Sequence, residues 1–253
     1  MISIQYMGRL GNNMFQRAAA EILSQKSGLK VQDGSIDGII NKNSNELVID
    51  SPTLTLDDDS FYCKTAFLNN LLDPAPRGIR LHGFFQKSWM ALDHRNFLKD
   101  FFRLPEQPFD IKKEDVAVCI RRDDMLEPCQ KPNLIPYEYY EYVIETYFKN
   151  HNFYIFTDSP NDIDVQKLCE KYSISQIAFS RDAALDLSTL TKFNNIIGGA
   201  GTYYWWGAFL GEAKNIYFPI HHSGWGIETR ESHVDLYLPF VNYIHHSNYA
   251  NII

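Results

Sequence analysis

Short apolar runs alternate with amphipathic segments through the second half of the chain. The runs Val116–Ile120 and Phe153–Thr157 have the length of buried strands, while Tyr137–Lys149 and Asp162–Tyr172 carry apolar residues at helical spacing. The alternation continues with predicted strands at Ile174–Phe179, Asn194–Ile197 and Asn215–Phe218 and predicted helices at Ala183–Lys192 and Tyr204–Gly211. Strands that alternate with helices predict a parallel sheet of the Rossmann type.

The first half of the chain shows a weaker pattern. Ser3–Tyr6 predicts a strand, and Asn12–Lys26 predicts a helix whose apolar residues share one face. Gly28 is well placed to end that helix. Asp50–Ser60 is polar, and we expect it to form a loop.

Two prolines separate two apolar blocks in the stretch Leu104–Asp110. Such a stretch is typical of a linker between domains, and a chain of 253 residues is long enough for two domains. We therefore predict an α/β protein with two Rossmann-like domains, residues 1–106 and residues 107–253.

Charge and composition narrow the functional classes. The formal net charge is −7, whereas a nucleic-acid-binding protein needs a dense basic face. No apolar stretch approaches the roughly 20 residues of a membrane-spanning helix, and the first residues lead into a predicted strand without a secretion signal. The four cysteines form no CxxC pair. We expect a cytoplasmic protein with reduced cysteines, no membrane span and no nucleic-acid partner.

A strand-to-helix turn at Gly8–Met14 is the first candidate for ligand binding. Its glycines, including Gly11, allow the backbone to approach a ligand, and the following helix presents unpaired N–H groups. An ordinary tight turn explains the pattern equally well, and Asn12 would then be the N-cap of the helix.

The segment Cys119–Asp124 ends a predicted strand, where open α/β sheets bind ligands. Arg121 and Arg122 suit a diphosphate because a guanidinium makes paired, charge-assisted hydrogen bonds. Adjacent residues of an extended chain point in opposite directions, so we expect one arginine to face the ligand and the other to pair with a carboxylate such as Asp124. A surface cluster of ion pairs is the alternative.

Two further strand ends carry candidate residues. Asp158 follows the strand at Phe153 and would read a base or ribose, or would cap the next helix. The glycine-rich segment Gly198–Gly207 places Gly201, Thr202 and Tyr203 at a helix start, which predicts a phosphate cradle. Its two tryptophans are interpreted as core residues.

Five segments together resemble the bacterial α-1,2-fucosyltransferases. GRLGNNMFQRA (residues 8–18) is similar to the opening loop of that family, and GFFQKS (83–88) is similar to its GYFQS segment. CIRRDD (119–124) falls on the HxRRxD motif of the fucosyltransferase superfamily. FYIFTD (153–158) and residues 195–210 resemble the two remaining segments, and all five occur in the family's order.

This resemblance implies a GT-B-like fold and a metal-independent, inverting transfer of L-fucose from GDP-fucose to a hydroxyl of an oligosaccharide. Residues 1–106 would form the acceptor side and residues 107–253 the nucleotide-sugar side. No cofactor is implied beyond the donor substrate. The resemblance places Asn12, Arg121, Asp124 and Thr202 on functional positions of the family. Together with the strand-end positions, it leads us to expect catalysis by Asn12, Arg121 and Asp124, and donor binding by Gly11, Arg121, Arg122, Asp158, Gly201, Thr202 and Tyr203.

The sequence departs from the family pattern at several positions. Cys119 stands in place of the motif histidine, Asp123 in place of a glycine, and Ala200 and Gly201 in place of an Asn-Ser pair. These changes leave a transferase of another nucleotide deoxysugar open, as well as a non-catalytic protein that binds sugar nucleotides or glycans. A metal-dependent GT-A-type enzyme is a third alternative, because Asp57–Asp59 has DxD spacing.

Overall fold

The computed structural model describes residues 1–32, 36, 39, 54–58, 78–106, 109–127, 134–174, 176–178, 182–220 and 235–250. The chain divides into two compact units. The first unit comprises Met1–Arg103 with Glu228–Leu236, and the second comprises Leu104–Ile227 with Tyr237–Ile253. The GT-B-like arrangement and the roles of the two halves stay predictions.

The first unit contains a small parallel sheet with strand order β1-β3-β2. Its helix α1 is amphipathic and ends at Gly28, whose φ of 70° is the left-handed conformation expected of a helix-ending glycine. The elements, in chain order, are β1 (Ile2–Ile4), α1 (Leu10–Ser27), β2 (Leu54–Leu56), β3 (Ile79–Leu81), α2 (Ser88–Asp93) and α3 (Arg95–Phe101).

The expected loop at Asp50–Ser60 is wrong in part, because it contains strand β2. Only Leu56 of that strand is fully buried, and Thr55 is exposed. A strand this short, with one buried side chain, gives almost no period-2 signal. The pairing with β3 decides its structure.

The second unit contains a six-stranded parallel sheet with the order β6-β5-β4-β7-β8-β9. Its elements are β4 (Val116–Ile120), α4 (Tyr137–Tyr147), β5 (Phe153–Thr157), α5 (Ile163–Lys171), β6 (Gln176–Ala178), α6 (Ala183–Leu190), β7 (Asn195–Ile197), α7 (Thr202–Leu210), β8 (Asn215–Pro219) and β9 (Asn242–Ile244). The predicted alternation of strands and helices is confirmed for this unit.

The strand order of the second unit is that of the Rossmann fold. Counted within the unit, the order is 3-2-1-4-5-6, so the connections leave β4 and β7 in opposite directions along the sheet. Ligands of such sheets bind beside the carboxyl ends of the strands at this switch point. The sheet therefore directs attention to the residues that follow β4 and β7.

Strand β4 is buried on both faces and forms the centre of this unit. Each of its five residues is buried, and Val116, Val118 and Ile120 belong to a core that includes apolar side chains of α4 and α5. Trp205 and Trp206 of α7 are both fully buried, which agrees with their interpretation as core residues.

Candidate active site

Arg121 and the start of α7 lie together at the switch point. A Cβ placed on Gly201 would lie 3.5 Å from Nη1 of Arg121. Gly201 has a φ of 149° and precedes the first residue of α7, Thr202. The structure thus brings the arginine segment and the glycine-rich segment together, as their places at two strand ends suggested.

Asp124 holds the guanidinium of Arg121 from one side. Nε of Arg121 donates to Oδ1 of Asp124 over 3.0 Å, and Nη2 donates to Oδ2 over 2.5 Å. Asp124 lies in a short 3-10 helix, Asp123–Leu126, that follows β4 directly. These two hydrogen bonds use the Nε and Nη2 edge of the guanidinium, so Nη1 faces the start of α7.

Arg122 is a buried structural arginine. Its side chain is 1% exposed, and its Nη2 donates to Oδ2 of Asp164 over 2.9 Å. Nη1 donates to the carbonyl of Ile135 over 3.1 Å, and Nε lies 3.3 Å from Oδ1 of Asp162. Both arginines pair with carboxylates, Arg121 with Asp124 and Arg122 with Asp162 and Asp164, and the expectation that one of them faces the ligand stays a prediction. The guanidinium of Arg122 is occupied by groups of the protein, so this geometry does not favour its assigned role in donor binding.

Asp158 connects the ends of β4 and β5. Its Oδ1 accepts a hydrogen bond from the backbone N–H of Arg122 over 2.9 Å. The backbone N–H of Asp123 donates to the hydroxyl of Ser159 over 3.0 Å. The cap of α5 is Asp162, which accepts from the backbone N–H groups of the first turn, so the interpretation of Asp158 as that cap was wrong.

Three carboxylates gather beside Arg121. Oxygen atoms of Asp123, Asp124 and Asp158 all lie within 4.8 Å of one another. Two of them already have donors within the protein, because Asp124 accepts from Arg121 and Asp158 accepts from the backbone of Arg122. The cluster is thus partly neutralised by neighbouring groups.

The glycines of the segment Gly198–Gly201 have different structural roles. A Cβ on Gly199 would lie 2.6 Å from the carbonyl oxygen of Cys119, and one on Gly198 would overlap the ring of Phe218. These two glycines are needed for close packing of β7 against its neighbours. Within this segment only Gly201 has the positive φ that turns the chain into α7. The part of the predicted phosphate cradle that remains is therefore Gly201 and the residues after it.

The two residues after Gly201 begin α7. Thr202 is 7% exposed. The hydroxyl of Tyr203 donates to the carbonyl of Ala183 over 2.7 Å, and burial raises the pKa of this phenol. Tyr203 therefore braces the start of α7 against the start of α6, and its assigned contact with the donor stays a prediction.

Three buried tyrosines donate hydrogen bonds to backbone carbonyls at or near the strand ends, and the sequence did not identify them as part of the site. Tyr139 donates to the carbonyls of Gly198 and Tyr217, over 3.0 and 2.9 Å. Tyr140 donates to the carbonyl of Cys119 over 3.2 Å, and Tyr204 donates to that of Ile120 over 3.1 Å. Burial raises the pKa of all three phenols, so they remain donors at physiological pH.

In the first unit, Asn12 is the third residue of α1. The N-cap is Arg9, and it makes no side-chain capping bond. The interpretation of Asn12 as the cap was therefore wrong. Its Oδ1 accepts a hydrogen bond from Nε2 of Gln86 over 3.0 Å. Gly11, the residue before it, is buried in the first turn of the helix.

The carboxylate of Asp58 already accepts two backbone hydrogen bonds, which leaves it poorly suited to metal binding. Its two carboxylate oxygens accept from the backbone N–H groups of Phe84, over 3.0 Å, and Phe85, over 2.6 Å. Asp59 lies outside the described residues. In a DxD motif the first and third residues hold the metal ion, so the partners of Asp58 do not test the GT-A-type alternative at Asp57–Asp59.

Comparison with known proteins decides the family. The model of glycosyl transferase family 11 matches residues 74–245, which is more than half of the chain. The chain belongs to glycosyl transferase family 11. It is therefore a glycosyltransferase of the fucosyltransferase type, for which the family implies a nucleotide-sugar donor and a glycan acceptor. No curated protein matches the chain.

The family 11 match covers four of the five resembling segments. The Gly8–Ala18 segment precedes the matched range, so the role of Asn12 rests on resemblance and geometry. Cys119, which replaces the motif histidine, is fully buried in β4, and burial raises the pKa of its thiol. Within the described part of this family 11 protein, no helix has the length and apolar character needed to cross a membrane.

Proposed function

We propose that this family 11 protein transfers L-fucose from GDP-fucose to a hydroxyl of an oligosaccharide, with inversion at the anomeric carbon and without a metal ion. The observation that carries the proposal is the meeting of Arg121 with the start of α7 at the switch point. A family 11 transferase has to bind a nucleotide diphosphate, and this place offers two features that suit one.

The first feature is the charge of Arg121. Its side chain is 25% exposed, so it is available to a ligand while remaining ordered by Asp124. Nη1 lies beside Gly201, on the side away from the carboxylate. A phosphate oxygen placed there would accept a charge-assisted hydrogen bond from Nη1.

The second feature is the amino-terminal end of α7. The helix has nine residues, and Gly201 provides no side chain to cap it. Unpaired N–H groups and the helix dipole favour an anion at such an end. A diphosphate bound between Arg121 and α7 would be stabilised most as the glycosidic bond breaks, because negative charge then develops on the leaving group.

We assign Asp124 to the orientation of Arg121 rather than to proton removal. Both of its oxygens accept from the guanidinium, so this carboxylate already serves as the partner of that cation. We assign Asn12 to contact with the reacting groups, on the basis of its loop's resemblance to the family's opening segment.

A metal-assisted version of the same reaction is the second candidate. Its support is the carboxylate cluster of Asp123, Asp124 and Asp158, since carboxylate oxygens are the ligands that Mg²⁺ prefers. The partners already bound by Asp124 and Asp158 favour the metal-free version.

A donor panel tests the proposal. The purified protein is incubated with an oligosaccharide panel and GDP-fucose, another GDP-deoxysugar or a UDP-sugar, each with EDTA and with Mg²⁺. The proposal expects GDP release and a fucosylated product in both buffers, with the inverted anomeric configuration by NMR. Turnover only with Mg²⁺ would favour the metal-assisted version, and GDP binding without turnover of any donor would identify a non-catalytic sugar-nucleotide-binding protein.

A further inference from the structure

Three loops meet at one edge of the small sheet in the first unit. The loops follow the carboxyl ends of β1, β3 and β2, which are neighbours in a parallel sheet. The loops after β3 and β2 contribute Gln86 and Asp58, and the loop after β1 leads into the first turn of α1, which contributes Asn12. From the contacts among these loops we infer that Gln86, held in place by Asp58, is a positioning residue that sets the orientation of the Asn12 side-chain amide.

The contact between Gln86 and Asn12 fixes which end of the amide faces which neighbour. Nε2 of Gln86 donates to Oδ1 of Asn12 over 3.0 Å, so the amide nitrogen of Asn12 takes the other side. That side faces Gly8, since a Cβ on Gly8 would overlap Nδ2 of Asn12. With the Gln86 amide in this orientation, Asn12 presents an N–H donor, rather than an acceptor, beside Gly8.

Asp58 holds the turn that carries Gln86. It accepts from the backbone N–H groups of Phe84 and Phe85. A Cβ on Gly83 would lie 2.9 Å from Cγ of Asp58, so only glycine permits this approach. Phe85 has a φ of 53° although it is not glycine, and its side chain is fully buried. Such strained backbone persists only where surrounding contacts impose it, and the carboxylate of Asp58 supplies two of those contacts.

A distant segment holds the other side of Gln86. The carbonyl of Gln86 accepts from the backbone N–H of Asp235 over 2.9 Å, and the backbone N–H of Ser88 donates to the carbonyl of Asp235 over 2.7 Å. Gln86 itself is 8% exposed. Its backbone is thus held on the side of Asp235, and its low exposure keeps the side chain against Asn12.

This inference rests on the proposed role of Asn12, and a pair of near-isosteric substitutions tests it. Gln86→Glu replaces the donor with a carboxylate, which accepts only. We expect the Asn12 amide to rotate by half a turn and donate to the new carboxylate, so that an oxygen replaces the N–H beside Gly8. Gln86→Met removes the donor but imposes no orientation. Gln25→Met, at an exposed glutamine of α1, is the control.

The expected readout separates positioning from simple stability. Gln86→Glu should lower kcat about 100-fold, as misplacement of a catalytic group does, with little change in donor KM. Gln86→Met should lower kcat less than Gln86→Glu does, because the Asn12 amide can still take its productive orientation for part of the time, while both variants have similar melting temperatures. In an Asn12→Ala background, neither substitution should lower kcat further. Equal losses in the two backgrounds, or equal losses for Glu and Met, would overturn the positioning role.

A second measurement keeps this inference separate from the proposed function. If no donor is turned over by the unaltered protein, the proposed function fails, but the contact is still measured by a melting-temperature cycle of Asn12→Ala, Gln86→Met and the double variant. Non-additive shifts support the contact between the two amides, since coupled neighbours depart from additivity. Additive shifts would overturn it.

Discussion

In the second unit, Arg121 comes directly after a buried strand at the centre of a six-stranded sheet. In the first unit, Asn12 lies in the first turn of a helix, beside a three-stranded sheet, and depends on a glutamine 74 residues away in the sequence. Both sets of residues lie at the carboxyl edge of a parallel sheet. The position of Arg121 follows from the strand order of its sheet, whereas the position of the Asn12 side chain depends on a hydrogen bond from Gln86.

This difference predicts how the two units respond to substitution. Arg122, the neighbour of Arg121, is part of the core, so its loss should appear mainly as lost stability. Gln86 contacts Asn12 through its side-chain amide, so its loss should appear mainly as lost turnover.

Arg122→Met should lower the free energy of unfolding by about 3–5 kcal/mol, because it leaves the carboxylates of Asp162 and Asp164 without their buried partner. Urea unfolding followed by tryptophan fluorescence measures the change. Arg121→Met is the matched control, since its ion pair is partly exposed and should contribute no more than about 1 kcal/mol. Equal destabilisation by the two substitutions would remove the contrast between a structural and a ligand-facing arginine.

Asn12→Ser should lower kcat by about 100-fold, as expected for the loss of one transition-state donor. The melting temperature should fall only modestly, because Asn12 is not the N-cap of α1 and loses one hydrogen bond, from Gln86, worth about 1 kcal/mol. The same substitution at the neighbouring position, Asn13→Ser, should retain most of the turnover. Full activity of Asn12→Ser with the true donor and acceptor would show that the Gly8 loop is not part of the site.

Asp58→Asn should destabilise the protein by about 1–3 kcal/mol, because one of two backbone N–H groups loses its acceptor. Thermal unfolding of Asp100→Asn, at an exposed carboxylate of the first unit, provides the comparison, with an expected change within about 0.5 kcal/mol. A similar melting temperature for both variants would mean that Asp58 does not hold the Phe85 turn.

Removal of divalent ions should have the smallest effect of all. We expect EDTA to leave fucosyl transfer unchanged, because Asp124 and Asp158 already accept hydrogen bonds from the protein. Asp123→Asn, which removes one carboxylate of the cluster, should likewise not alter the response to added Mg²⁺. Loss of turnover in EDTA that Mg²⁺ restores would assign the cluster a metal.

The fold of the second unit was largely predictable from the sequence. Strands β4 and β5 have the predicted bounds, and α4 and α5 match the predicted helices to within two residues at each end. These elements are buried on regular faces, so the apolar pattern reports them directly. The fold of the first unit was harder to predict, because β2 has one buried side chain and its pairing with β3 is non-local.

The candidate site was predictable as far as its segments but not as far as its contacts. The position of Arg121 and Arg122 at a strand end identified them as candidates in the sequence. Only the structure shows that Arg122 is buried against α5 and that Arg121 forms an ion pair with Asp124. The bond between Gln86 and Asn12 joins residues far apart in the sequence, and no local pattern reports such a pair. The GFFQKS resemblance marked the segment of Gln86 without indicating its role.

The central claim is that Arg121 and the start of α7 hold the donor diphosphate, and isothermal titration calorimetry in EDTA tests it most directly. We expect GDP to bind more tightly than UDP. Arg121→Ala should weaken GDP binding by about 1.5–3 kcal/mol, the range for a hydrogen bond to a charged group, while Arg103→Ala, at an exposed arginine of the first unit, should leave it unchanged. Unaltered GDP affinity in Arg121→Ala would contradict the account.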